Sequence, residues 1–175
     1  MNGAMQTLRD QAITLLLGCL MLAAATGETG HAADLMGTHG DWKAYRHVAG
    51  GTRICFAVTG TSEQLPQDDR RKPFVYITAW PNAGIKAEVS VLVGTPMQRG
   101  AEIKADIGGN SFILSPDGDR AFIGDEGDEQ RFLDAMRRGR TLVVATTTAP
   151  GTTLRDTYSL TGVTAAMQAV AADCQ

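Results

Sequence analysis

Hydrophobic and polar residues alternate with a period of two over much of the chain. Ala101-Glu102-Ile103-Lys104-Ala105-Asp106-Ile107 is the cleanest case, and it predicts a strand with Ala101, Ile103, Ala105 and Ile107 on the core face. Gly108-Gly109-Asn110 reads as a tight turn into a second strand, Ser111 to Leu114, forming a hairpin. Pro116 to Asp119 is another turn, ahead of a short strand from Arg120 to Ile123. Further strands are expected over Asp41–Val48, Thr141–Thr147 and Thr152–Leu160. Three runs are apolar on both faces: Ile54 to Val58 within Thr52–Thr59, Phe74 to Trp80, and Ala87 to Val93. The first is expected to be a central strand buried on both sides. Residues 34–40 read as a short polar lead. Ser62 to Pro73, charged and bounded by proline, reads as a surface loop.

The period changes to that of a helix in two places. Phe132, Leu133 and Met136 give residues 129–138 one apolar face, with Asp128 placed to cap the start and Gly139 placed at the C′ position. Val163, Met167, Val170 and Cys174 share a face of a last helix over 163–173, which carries Cys174 toward the body. About eight short strands, with turn signals every 8–12 residues, argue for a mainly β protein. The expected fold is a β-sandwich flanked by two short helices, one of them C-terminal.

Ahead of this pattern stands a segment of another kind. Residues 1 to about 33 have the layout of a secretory signal. Arg9 is the positive end, with Asp10 beside it, and Ala12–Ala25 is an uncharged apolar run of 14 residues. A span across a bilayer needs about 20. Cleavage is expected after Ala32 or Ala33, with Ala25 as a further option. A rival reading takes Leu16-Leu17-Gly18-Cys19 as a lipobox with Cys19 lipidated, although Leu20 to Ala23 keep the run apolar where lipoproteins turn polar. The domain is then 34–175, with no transmembrane span, in the periplasm or secreted.

Export changes how the cysteines read. Of three, Cys19 leaves with the leader, and Cys55 and Cys174 remain. An even number in an oxidising compartment reads as a disulfide. Closing so long a loop stabilises by up to roughly 4–5 kcal/mol on a chain-entropy account. No C-x-x-C spacing offers a zinc site, so no metal is expected.

Composition is that of an ordinary globular domain, 43% hydrophobic and 20% charged. A net charge of −3 without a long basic cluster gives no reason to expect nucleic acid. Catalytic motifs are missing as well. There is no G-x-S-x-G, and Ser111 sits where a strand opens. His47 is the one candidate base and reads as a solvent-exposed histidine. The acidic positions of 117–119 and 124–129 lack the spacing of a calcium loop, and Gly94 to Gly100 lacks the Lys-Ser/Thr ending of a phosphate loop. The chain is therefore read as a non-enzyme without a cofactor. Strand aromatics are mostly core, but Trp42, Tyr45 and Trp80, with Tyr76 nearby in sequence, are candidates for a binding face.

The order of certain short segments resembles the invasion-associated locus B family of alphaproteobacterial exported proteins. The segments are Gly40-Asp41-Trp42-Lys43-Ala44-Tyr45, Arg53-Ile54-Cys55-Phe56-Ala57, Ala87-Glu88-Val89-Ser90, Gly118-Asp119-Arg120-Ala121 and Phe132 to Gly139. Asp156-Thr157-Tyr158-Ser159-Leu160-Thr161-Gly162 is the strongest of them, and it leads into the helix that ends at Cys174. Ala87 stands where the family has Asn, and Tyr45 where many members have a cysteine. The resemblance spans residues 40–174. It implies an immunoglobulin-like sandwich and a periplasmic or envelope location. Three roles follow as expectations: contact with an envelope or host protein through a sheet face or strand edge, a small-molecule- or metal-binding domain or hydrolase built around His47, or a structural part of the envelope.

Overall fold

The computed structural model describes residues 32–174, which fall in one compact unit. The leader with Cys19 and Ala25 lies outside the described residues. In chain order the strands are β1 (Asp34–His39), β2 (Trp42–Ala49), β3 (Thr52–Gly60), β4 (Glu63–Leu65), β5 (Phe74–Trp80) and β6 (Ile85–Leu92). They continue with β7 (Ile103–Ile107), β8 (Asn110–Asp117), β9 (Arg120–Ile123), β10 (Thr141–Thr147) and β11 (Thr153–Ser159). Helix α1 (Glu126–Arg138) lies between β9 and β10, and α2 (Val163–Asp173) follows β11.

All eleven strands join one antiparallel sheet in the order β1-β2-β3-β5-β6-β9-β8-β7-β10-β11-β4. The two layers of the expected sandwich are thus one continuous sheet bent over a single core. β3 runs on past Gly60 into β4, and β4 pairs with β11 at the far end of the strand order. Cross-links close the bend: Trp42 Nε1 donates to the Ser159 carbonyl at 3.0 Å, and the Asp41 and Ser62 amides donate to Thr161 and Thr157 at 3.1 and 2.8 Å.

The core is built from alternate positions of facing strands. Trp42, Ala44, Cys55, Ala57, Val75 and Ile77 fill one half, and Ile103, Ile107, Leu142, Leu154 and Tyr158 fill the other. Both helices pack on this core, α2 against β1, β2, β3 and β5, and α1 against β6, β8 and β9. Phe132 of α1 meets Phe112 edge-on at 4.9 Å. The disulfide joins Cys55 on β3 to Cys174 just past α2. α2 spans the residues its periodicity predicts, and the β5, β9 and β10 strands also fall where expected.

Four local expectations are corrected. Residues 34–39 are not a polar lead but the edge strand β1, paired with β2 from Asp34↔Arg46 to His39↔Trp42. The region read as a surface loop contains β4, which has no apolar pattern and owes its place to β11. The cap of α1 is Asp125, whose carboxylate accepts from the Asp128 amide at 2.8 Å, so the helix starts earlier than Asp128 would allow. Gly139 is extended at φ −80°, not left-handed. Its small size is needed for packing, because a Cβ there would lie 2.5 Å from Ile107 Cγ2.

Candidate functional site

Residues directly opposite one another in an antiparallel sheet share a face. That rule reads the outer face of the bent sheet straight from the register. One row runs Tyr45, Phe56, Thr78, Glu88, and the next runs Lys43, Val58, Tyr76, Ser90, Phe122. The rings touch along it. Tyr45 stacks on Phe56 at 5.3 Å, and Tyr76 lies 6.1 Å from both Phe56 and Phe74. Cys174 ties α2 to the inner row through Cys55, so that helix covers the opposite side. The outer rings remain half-buried.

Between these rows lies a groove of about 380 Å³ walled by Ile54, Phe56, Tyr76, Trp80 and Phe122. His47, Thr78, Ser90, Glu88 and Arg120 supply its polar groups. The Arg120 guanidinium sits 5.2 Å from the Tyr76 ring centroid, and Lys72 Nζ sits 5.8 Å from that of Phe74. Both are cation–π placements that hold a positive charge at the margin of the aromatic surface.

Of the three aromatic residues suggested by sequence, Tyr45 and Trp80 belong to this outer surface. Trp42 does not: it is 0% exposed, on the inner row beside Ala44. The reason is parity, since positions three apart on a strand point to opposite faces. His47 is not an isolated exposed residue but part of the groove wall. Phe56, Phe122 and Arg120 were not singled out by sequence. The signal that could have found them is the apolar run Ile54 to Val58. Only Cys55 and Ala57 of that run are buried, and Ile54, Phe56 and Val58 line the outer face. The strand is not doubly buried.

Other polar groups serve the fold. Arg70 reaches inward to Asp156, donating to both carboxylate oxygens, and also to the Val93 carbonyl at 2.9 Å and to Asp68. Burial lifts the Asp156 carboxyl above its ordinary range, with Arg70 pulling the other way. Burial opposes the charge on Arg70, yet Asp156 and Asp68 hold its pKa above the usual value. Burial also raises the Tyr158 phenol well above its ordinary value. Glu129 of α1 accepts from the Val89 amide at 2.7 Å, and burial holds this carboxyl above its normal value.

Among the described residues, Cys55, Cys174 and Asp173 form one cluster with metal-ligand atoms close together. The sulfurs are bonded to each other and so are not thiolate ligands. A disulfide sulfur also carries no proton, so the 3.6 Å approach of Asp173 Oδ2 to Cys55 Sγ is a contact and not a hydrogen bond. Arg46 and Arg53 bind the Asp173 carboxylate and carbonyl at 3.4 and 3.0 Å. A second groove, between the β7–β8 turn and α1, is lined by Asn110, Phe112, Arg131, Asp134 and Arg138. Arg131 there pairs with Asp128, and Asp134 with Arg137.

Fold and site together define a mainly β domain whose C-terminal helix is disulfide-bonded to the sheet and whose other sheet face is aromatic. The chain belongs to the invasion associated locus B (IalB) protein family, whose model matches residues 49–171. Its fold is similar to that of the invasion associated protein b from Bartonella henselae, known from a crystal structure. The two chains are 19% identical with a TM-score of 0.56, and the match covers 81% of this chain and 96% of the other. No curated protein matches the sequence.

Proposed function

We propose that the chain is exported through a leader ending near residue 33 and acts in the periplasm or cell envelope, without catalysis, by contact with another protein. The observation that carries this reading is the aromatic outer face. A sheet face rich in Phe, Tyr and Trp beside a groove is the chemistry of recognition surfaces. The disulfide supports an oxidising location. Among the described residues no helix is long and apolar enough to cross a membrane.

A photo-crosslinking residue placed at Tyr45 or Trp80 should give a discrete adduct in living cells, while one at exposed Thr153 gives none. Fractionation and intact mass should find the chain outside the cytoplasm, shortened at about Ala33 and free of lipid. Adducts of equal yield from every position would remove the contact reading, and an intact leader on cytoplasmic protein would remove export. A second reading, a small ligand in the same groove, is favoured by His47, Glu88 and the hydroxyls of Thr78 and Ser90. It requires a bound mass in native spectra of the purified protein and no crosslinked adduct.

A further inference from the structure

The charge around the aromatic face is opposite in sign to that of the whole chain. The protein carries a net −3, yet three cations stand along one side of this face. Lys43 shares a row with Val58 and Tyr76, Lys72 lies over Phe74, and Arg120 lies over Tyr76. Among the described residues none of the three makes an ion pair, whereas Arg46, Arg70, Arg71, Arg131 and Arg137 each do. Asp117 stands opposite Arg120 in the register without forming a pair with it, and Glu88 is the acid of the groove. Unpaired cations held against aromatic rings are already partly desolvated, and so lose less on meeting a carboxylate than free lysines would.

From this charge complementarity we infer that the face docks an acidic, aromatic- or leucine-bearing polypeptide segment of a partner protein. An apolar side chain seats in the groove between Tyr76, Trp80 and Phe122, and flanking carboxylates meet Arg120, Lys72 and Lys43. The inference rests on the contact reading above and adds the partner's chemistry to it. The cations set orientation and association rate, while the rings supply the apolar contact.

The test uses the full chain expressed in an exporting host and purified from it. The probes are a blocked peptide alternating glutamate with phenylalanine and leucine, its lysine-for-glutamate counterpart, and vesicles containing anionic lipid. Binding is followed by Trp80 fluorescence and by calorimetry. The glutamate peptide should bind, weaken as salt rises, and lose about tenfold in affinity with Arg120→Glu. Lys43→Glu, at an exposed site, should weaken it in the same direction without any effect on folding. Arg131→Glu, in the other groove, should leave it unchanged. Equal binding of the lysine peptide would overturn the inference. So would indifference to both charge reversals, binding to vesicles alone, or self-association of the chain with no peptide bound. If the peptides fail while crosslinks at Tyr45 and Trp80 persist, the partner chemistry is wrong and the contact reading stands; if both fail, both fall.

Discussion

The two faces of β3 differ in a way that runs against the usual order. Inward it presents the small side chains of Cys55 and Ala57, both fully buried. Outward it presents Ile54, Phe56 and Val58, larger and only half covered. Neighbouring strands repeat the contrast, with Ala44 and Ala79 inside and Tyr45 and Tyr76 outside. The inner side is built for close approach. It receives the alanine-rich α2, whose Ala166 and Val170 are buried and whose end is bonded to Cys55. Small residues on both partners let a helix lie near a sheet, as packing density requires. Among the described residues no helix packs on the outer side, and its large rings lean on one another. Size alone therefore does not mark the core of this protein.

Substitutions that separate the two faces should differ most in stability. Trp42→Ala empties the inner face, removes the hydrogen bond to Ser159, and should cost about 3–5 kcal/mol in denaturant unfolding. Asp156→Ala leaves Arg70 buried without its main partner and should cost a similar ~3–5 kcal/mol. Reducing the disulfide, or replacing both cysteines with serine, should cost about 2–5 kcal/mol and free the C-terminal helix first, as read by amide exchange. Tyr45→Ala on the outer face should cost only about 1 kcal/mol, the worth of its stacking on Phe56.

The smallest effect is electrostatic. Burial raises the Glu129 carboxyl above its ordinary 4.5, so the folded state holds that proton more tightly than the unfolded chain does. Protonation therefore favours folding below 4.5, and this contribution is lost as pH rises through the raised value. Glu129→Gln should flatten the decline between mildly acidic and neutral pH, seen by comparing unfolding curves of the two proteins.

Much of the architecture is legible in the residues. The alternation of Ala101 to Ile107, the Gly108-Gly109 turn and the periodicity ending at Cys174 each specify their element by local physics. β1 and β4 are not legible, because Asp34–His39 and Glu63–Leu65 hold strand geometry only through pairing with β2 and β11. Gly139 misleads because a glycine can serve conformation or space, and only the distance to Ile107 decides between them. The site was half visible. Parity alone separates Trp42 from Tyr45, but an apolar run such as Ile54 to Val58 reads the same whether its second face is covered or bare. Arg120 and Phe122 join the groove through the β6–β9 pairing, which has no local signature.

The central claim is that one face of this sheet is sealed and the other open. Hydroxyl-radical footprinting of the native protein, read by peptide mass spectrometry, tests it most directly. Tyr45, Tyr76 and Trp80 should be oxidised readily, with Trp42 and Tyr158 protected until the protein unfolds. Oxidation of Trp42 as fast as Trp80, or protection of all the outer rings, would contradict it.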